Sequence, residues 1–383
     1  MRILIAFGTR PEIIKLAPVC RALSDCPNVK LDVFWSGQHI ELATGLFDLF
    51  EIDVTHSGAD VVNTAGLAGK FGLVMQQIEN VLRSARYDWL VVQGDTATAA
   101  AGASSGFLNK VQVAHVEAGL RTGNLSSPWP EEFNRRAITL CANQHFAPTR
   151  AAAGNLLAEG IDPNAIHVVG NTGVDALLQV RSLVGQDGYT PREPALRSLP
   201  PDKKLVLVTT HRRENFGEPL RQILLALREL GNDGDKIVVL PVHLNPTVRD
   251  QVQQILGRAS GVWLLEPLRY PDFVYLLERA WVAVTDSGGV QEEAPTFGLP
   301  VIIARDTTER PEVVDAGFGR LVGASYESIV AGVRAATTCT KRQIIAGENP
   351  FGRGDAGRKI AQHLLGSHAR SQEHHPIQPL IPA

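Results

Sequence analysis

Arg2-Ile3-Leu4-Ile5-Ala6-Phe7-Gly8-Thr9-Arg10-Pro11-Glu12-Ile13-Ile14-Lys15 is the stretch that decides the fold class. Its unbroken apolar run is the pattern of a parallel strand buried on both faces. Thr-x-x-Glu then opens a helix, with Thr9 as N-cap and Glu12 reaching back as in a capping box. A strand that runs straight into a helix is the first half of a βα unit. Arg10 stands at the carboxyl end of that strand, the edge where α/β sheets take ligands, and Lys15 follows about a turn and a half later. Free backbone N–H groups and two cations there make a candidate anion site, although ordinary surface charge explains such a pair equally well without a partner site. A GxGxxG motif is missing, so a nucleotide would not be held in the dinucleotide style.

The same scheme repeats along the chain. Strands are predicted at 2–8, 29–37, 88–94, 111–117, 145–148 and 166–170, then at 204–210, 236–241, 262–265, 282–285, 300–304 and 320–322. Helical patterns fall between them, for instance at 67–84 and 219–230. The expected architecture is α/β, with two doubly wound Rossmann-like domains in sequence. The first spans residues 1–170 and carries most of the candidate carboxylates. The second spans 171–366, entered through a polar, proline-rich surface connection at 186–203, and its last helix is expected to pack back on the first domain. Residues 367–383 lack periodicity and read as a disordered tail.

At 383 residues the chain exceeds one ordinary core, and 44% hydrophobic with 20% charged residues is the balance of a globular protein. A net charge of -3 supplies no electrostatic drive toward nucleic acid or an anionic membrane. No apolar run nears the ~20 residues that span a bilayer, and nothing before the first strand has the form of a signal peptide. Cys20, Cys26, Cys141 and Cys339 form no CxxC pair. They read as reduced thiols of a cytoplasmic protein rather than as disulfides. The tract of His363, His368, His374 and His375 reads as a solvated tail, and no metal or cofactor is expected.

A second junction supplies the partner site. Thr285-Asp286-Ser287-Gly288-Gly289 follows another buried strand, and paired glycines let backbone N–H groups approach phosphate oxygens. Ser287 either caps the helix or meets the phosphate. Glu292 and Glu293 follow as acceptors for sugar hydroxyls, or as simple dipole compensation. Arg310, in the polar loop 305–312, is a further phosphate candidate. Asp95, Glu117 and Glu131 end successive elements and are expected to converge at one sheet edge, where clustered carboxylates acquire pKa values suited to acid–base work. His115 points to the other face and reads as structural. His211 and His243 end strands of the second domain, and His211 is flanked by Arg212, Arg213 and Glu214.

The ordered set GTRPEIIKLAP, QGDTATA, HVEAGLRTGN, SPWPEEFNRR, HRREN, PVHLNP and DSGGVQEEAP with RDTTERPE resembles the non-hydrolysing UDP-N-acetylglucosamine 2-epimerases, from about residue 2 to about residue 365. The resemblance implies a glycosyltransferase B-type fold with the nucleotide sugar in an interdomain cleft. It implies a homodimer and reversible conversion of UDP-N-acetylglucosamine to UDP-N-acetylmannosamine without nicotinamide. By motif, Arg10, Lys15, Asp95, Glu117, His211, Phe273, Ser287, Gly288, Gly289, Glu293 and Arg310 match substrate-binding positions. Asp95, Glu117, Glu131 and His211 match the catalytic ones. Leu268 stands where the family often has Gln. Related bacterial enzymes have an effector site, to which Gln38, His39, Lys70, Arg212 and His243 correspond. Ile40, Glu41 and Lys70 depart from its pattern and predict weakened or absent activation by a second substrate molecule.

Carbon 2 of such a sugar has no adjacent carbonyl, so its proton becomes removable only after UDP leaves carbon 1. The implied route is elimination to a 2-acetamidoglucal and re-addition of UDP. Either Asp95 or Glu131 would handle the carbon 2 proton, Glu117 would stabilise positive charge, and His211 would attend the leaving diphosphate. A hydrolysing relative that releases N-acetylmannosamine and UDP, a glycosyltransferase of similar fold, and a non-catalytic UDP-sugar sensor are the competing readings.

Overall fold

The computed structural model describes residues 1–37, 40–61, 63–210, 212, 215–338, 345 and 347–373. These form two compact units: Met1–Ala176 together with the chain from Gly352 onward, and Leu177–Phe351.

The first unit is built on seven parallel strands: β1 (Arg2–Phe7), β2 (Lys30–Trp35), β3 (His56–Ser57), β4 (Trp89–Gln93), β5 (Gln112–Val116), β6 (Gln144–Ala147) and β7 (Ile166–Val168), in the order β3-β2-β1-β4-β5-β6-β7. Its helices are α1 (Arg10–Ser24), α2 (Ile40–Phe50), α3 (Leu67–Ser84), α4 (Ala97–Leu108), α5 (Glu131–Cys141), α6 (Arg150–Ala158) and the start of α7 (Thr172–Val184). Ile3 to Phe7 are wholly buried, which is why β1 reads as an unbroken apolar run. The small-residue sequence of α4 is a packing device: a Cβ on Gly106 would meet Val113 Cγ2 at 2.6 Å, so only glycine lets the helix lie this close to the sheet.

The second unit begins within α7, continues through α8 (Pro194–Arg197), and carries β8 (Lys204–Thr209), α9 (Glu218–Gly231), β9 (Lys236–Pro241), α10 (Pro246–Leu256), β10 (Val262–Leu265), α11 (Tyr270–Arg279), β11 (Val282–Thr285), α12 (Gly288–Glu293), β12 (Val301–Ile303), α13 (Pro311–Asp315), β13 (Gly319–Leu321) and α14 (Tyr326–Ala336). Its six strands are parallel in the order β10-β9-β8-β11-β12-β13. The core joins Val206, Val208, Val238, Leu240, Val282 and Val284 to Leu220, Ile223, Leu224 and Leu227 of α9.

The closing helix α15 (Ala356–Glu373) belongs to the first unit and lies against α1, with Gly357 abutting Pro18 so that a Cβ would be 2.7 Å from the Pro18 backbone. The Asp175 carboxylate accepts from Gly357 N–H at 2.9 Å at the start of this helix. Helix α15 continues to Glu373, past the point where the sequence loses periodicity. His374, His375 and Cys339 lie outside the described residues. Cys20, Cys26 and Cys141 are free thiols.

All twelve expected strands are present, and β3 is added to them. At two residues it is too short to leave an apolar signature, and it exists because Phe34 and Trp35 offer an edge to His56 and Ser57. The 186–203 segment is more firmly anchored than a surface connection: Tyr189 hydroxyl and the Arg192 and Glu193 N–H groups all donate to buried Asp272, each at 3.1 Å. No helix among the described residues is long and apolar enough to cross a membrane.

Candidate active site

Each sheet has one point where the strand order reverses, between β1 and β4 in the first unit and between β8 and β11 in the second. Doubly wound sheets bind ligands at the carboxyl ends of the strands at such points. Arg10 follows β1 and Asp95 follows β4 in the first unit, and Ser287 follows β11 in the second.

In the first unit, Arg10 opens α1 directly after the Gly8–Thr9 turn. Thr9 is the N-cap, but the capping box forms in only one direction. Glu12 reaches back, accepting from Gly8 N–H at 3.1 Å and from the Thr9 hydroxyl at 2.7 Å, whereas that hydroxyl accepts no cap bond from the helix. Glu12 is buried, and the Thr9 hydroxyl is turned toward its carboxylate rather than toward the N–H groups of the helix.

Lys15, expected beside Arg10 at an anion, has its Nζ paired with Glu117 Oε1. Gln93 Nε2 donates to the other oxygen, Oε2. Glu117 adopts φ 64°, a left-handed conformation uncommon for a side chain of this size, just past β5. Asp95, just past the adjacent β4, is gripped by α5: Arg135 Nε and Nη2 approach Asp95 Oδ2 at 2.9 and 2.7 Å, and Asn134 Nδ2 donates to the Asp95 carbonyl at 2.8 Å. Arg135 also meets Glu132, which accepts the Thr122 and Gly123 N–H groups. Glu131, the first residue of α5, is different: its Oε2 is buried and has no hydrogen-bond partner. The three carboxylates therefore gather around the ends of β4 and β5 and the start of α5, two of them held by cations. His115 is structural, its Nε2 donating to Gly94 carbonyl at 2.7 Å, and burial pushes its pKa down to about 3.

In the second unit, Asp286 is fully buried and its Oδ2 accepts from Arg212 N–H at 3.1 Å and Asn215 Nδ2 at 3.0 Å, fixing the loop after β8. His211, Gln38 and His39 lie outside the described residues. Ser287 precedes α12 and its side chain makes no cap bond. The geometry revises the argument from paired glycines. A Cβ on Gly288 would overlap the Arg310 guanidinium, whereas Gly289 has ordinary space around it. Gly288 is thus glycine so that Arg310 can pack against the backbone. Arg310, 7% exposed, donates from Nε to Glu292 Oε1 at 2.6 Å and lies 3.4 Å from Glu309. Arg305 grips Glu309 at 2.8 and 3.1 Å. Burial alone would raise the Glu309 carboxyl, but Arg305, Arg310 and Arg212 hold it at about 2. Glu292 is consequently committed to Arg310, while Glu293 accepts from the Tyr270 hydroxyl at 2.8 Å. Phe273 is half-buried on α11, and Leu268 is buried before it.

Lys70 lies half-buried in the first turn of α3. His243 is exposed, its Nδ1 accepting from Asn245 N–H at 3.2 Å. No group of three metal-ligating side chains occurs among the described residues.

Sequence reasoning missed Arg135, Asn134, Gln93, Asp286, Arg305 and Glu309 as supports of the site. The Glu132–Arg135–Arg136 spacing and the Arg305–Glu309 spacing are helix-like ion-pair signals, but nothing local indicates that Arg135 reaches Asp95 forty positions away.

A sequence profile of the UDP-N-acetylglucosamine 2-epimerase family matches residues 21–365. The UDP-N-acetylglucosamine 2-epimerase of Escherichia coli K12 is 42% identical over 369 residues, covering 95% of this chain and 98% of that protein. The crystal structure of the Neisseria meningitidis enzyme bound to UDP-GlcNAc is similar at TM-score 0.89 and 37% identity, covering 96% of this chain and all of that one. The Methanocaldococcus jannaschii enzyme, solved with UDP-GlcNAc and UDP, gives 0.81 and 34%, again covering 96% of this chain and 100% of that one.

Proposed function

The chain belongs to the UDP-N-acetylglucosamine 2-epimerase family, and from that premise we propose that it interconverts UDP-N-acetylglucosamine and UDP-N-acetylmannosamine without hydrolysis, by eliminating and re-adding UDP. The observation that carries this reading is the unequal treatment of three carboxylates at one sheet edge. Asp95 is tied to Arg135 and Glu117 to Lys15, whereas Glu131 keeps a buried oxygen with no hydrogen-bond partner.

That division suits the chemistry. Departure of UDP from carbon 1, taking the bonding electron pair, leaves an oxocarbenium-like centre that fixed carboxylates stabilise. Glu117 is the natural stabiliser, since its cation and amide partners hold it in place. The carbon 2 proton then leaves as a 2-acetamidoglucal forms, and Glu131 is the base: its unpartnered oxygen is available to accept it. Asp95, oriented by Arg135, completes the proton handling on the other face. Protonation of carbon 2 from that face, by a proton that Asp95 takes up from solvent while Glu131 releases its own to solvent, and attack of UDP on carbon 1 give the epimer, so no net proton or water is consumed. Arg10 and Arg310 carry the charge of the diphosphate, with His211 as hydrogen-bond donor to the leaving group. Ser287, Gly288 and Gly289 complete the phosphate contacts, and Phe273 and Glu293 hold the nucleoside.

Turnover in heavy water tests this reading. Deuterium should enter carbon 2 of the product, and no free N-acetylmannosamine should accumulate. Retention of the original hydrogen removes the elimination route, and stoichiometric release of the free sugar identifies a hydrolase.

The reading includes a homodimer. Phe107 and Leu108 on α4 are 60% and 64% exposed, and Leu140 on the neighbouring α5 is 82% exposed. A second copy covering this apolar face would explain it. Sedimentation of wild type and Leu140→Asp should give dimer and monomer; a monomeric wild type removes this part.

A further inference from the structure

Glu12 makes more contacts than a helix cap requires. It is 1% exposed, and its carboxylate joins two loops. Oε2 accepts from Gly8 N–H and the Thr9 hydroxyl, which immediately precede Arg10. Oε1 accepts from the Thr96 hydroxyl at 2.7 Å, which immediately follows Asp95. The same Thr96 Oγ1 accepts from Ala99 N–H at 3.0 Å as the N-cap of α4, so one hydroxyl ties Glu12 to the start of that helix. A carboxyl group facing only neutral partners, with no cation beside it, has no electrostatic reason to be in this interior. Burial pushes its pKa up to about 7 despite those donors. An exposed Ser or Asp would cap either helix without that penalty.

We propose that Glu12 is a positioning residue for the epimerisation, linking the loop that carries Arg10 to the loop that carries Asp95 so that one buried carboxylate sets both. The proposal rests on the reading of the site given above. Neither Glu12 nor Thr96 touches the reacting atoms in it. Their contribution is the fixed separation of a phosphate-binding cation from a proton-handling carboxylate, which matters because small misplacements reduce rates steeply.

The test uses the full chain with UDP-N-acetylglucosamine and four variants: Glu12→Gln, Thr96→Val, Thr96→Ser and the double Glu12→Gln/Thr96→Val. Glu12→Gln and Thr96→Val should each lower kcat about tenfold while KM stays within about threefold, and Thr96→Ser should retain most of kcat. The double variant should be no slower than the worse single one, because both substitutions break the same link. Assays run well below every variant's Tm separate this from the lost α4 cap. An unchanged kcat in Glu12→Gln, multiplied losses in the double variant, or losses that follow Tm across the set overturn the proposal. Should Glu12→Gln fail to fold, the two Thr96 variants decide: activity kept by Ser and lost by Val supports the link, and equal activity overturns it. A wild type with no epimerase activity sinks the functional reading itself, an outcome distinct from an active wild type with indifferent variants.

Discussion

Arg135 approaches a single oxygen of Asp95 with two guanidinium nitrogens, at 2.9 and 2.7 Å, while Asn134 holds the Asp95 carbonyl. The carboxylate is therefore fixed by the helix that begins at Glu131. Arg135→Lys keeps the charge but loses the planar fork, so Asp95 regains rotational freedom. We expect kcat to fall at least about tenfold with UDP binding little changed. Steady-state kinetics beside calorimetric UDP titration checks this, and wild-type turnover in the lysine variant would dismiss the role of the clamp.

Gly288 and Gly289 should separate in mutagenesis although they adjoin in sequence. Gly288→Ala drives its methyl into the Arg310 guanidinium and displaces it from Glu292, whereas Gly289→Ala meets only ordinary contacts. Thermal stabilisation by UDP should fall strongly in Gly288→Ala and in Arg310→Ala, by on the order of 1.5–3 kcal/mol of binding energy. The folding midpoint of Gly289→Ala should match wild type. Equal effects of the two alanines on the ligand-free midpoint would refute the packing argument.

The strands were readable because buried parallel strands write themselves as apolar runs, and the two reversal points follow from alternation of strand and helix. That logic placed Asp95 and Glu117 beside each other, since β4 and β5 pair with Gln93 opposite Val116. What it could not reach were contacts between distant segments. Lys15 reads as a phosphate ligand until Glu117, turned by a left-handed backbone, meets it. Gly288 reads as a phosphate-loop glycine, and nothing in its local sequence shows that Arg310 also occupies its side-chain space. The Glu12–Thr96 bond joins residues 84 positions apart, and neither residue has a local pattern that points to the other.

Three buried groups and the partly buried Asp175 give stability a pH dependence whose parts oppose. Burial lowers His115 and His145 from 6.5 to about 3 and about 4, so their contribution is lost as pH falls below 6.5. Burial raises Glu12 from 4.5 to about 7 and Asp175 from 3.8 to about 6. Those two contribute fully below their unfolded pKa values, and the contribution is lost as pH rises through the folded ones. Between about pH 4.5 and 6 the two pairs nearly cancel. Glu12→Gln removes one opposing group, so its unfolding free energy should fall on acidification more steeply than wild type, by about 1.4 kcal/mol per pH unit. Urea denaturation at several pH values measures the slopes, and parallel slopes would show that Glu12 is not protonated in this range.

Glu117 and Glu131 should respond differently to the same isosteric change. Glu117→Gln leaves the Lys15 ammonium, 12% exposed, facing an amide, and loss of a buried partner costs on the order of 3 kcal/mol. Its Tm should drop along with its activity. Glu131→Gln removes a charge whose buried oxygen has no hydrogen-bond partner, so stability should hold or rise. Its turnover should nevertheless collapse, with deuterium entry at carbon 2 lost in step and UDP still stabilising the protein. The pairing of high stability with absent proton exchange would identify Glu131 as the group that moves the carbon 2 proton. Substantial exchange in Glu131→Gln would transfer that role to Asp95, and a Tm loss matching that of Glu117→Gln would contradict the unpartnered oxygen on which the assignment rests.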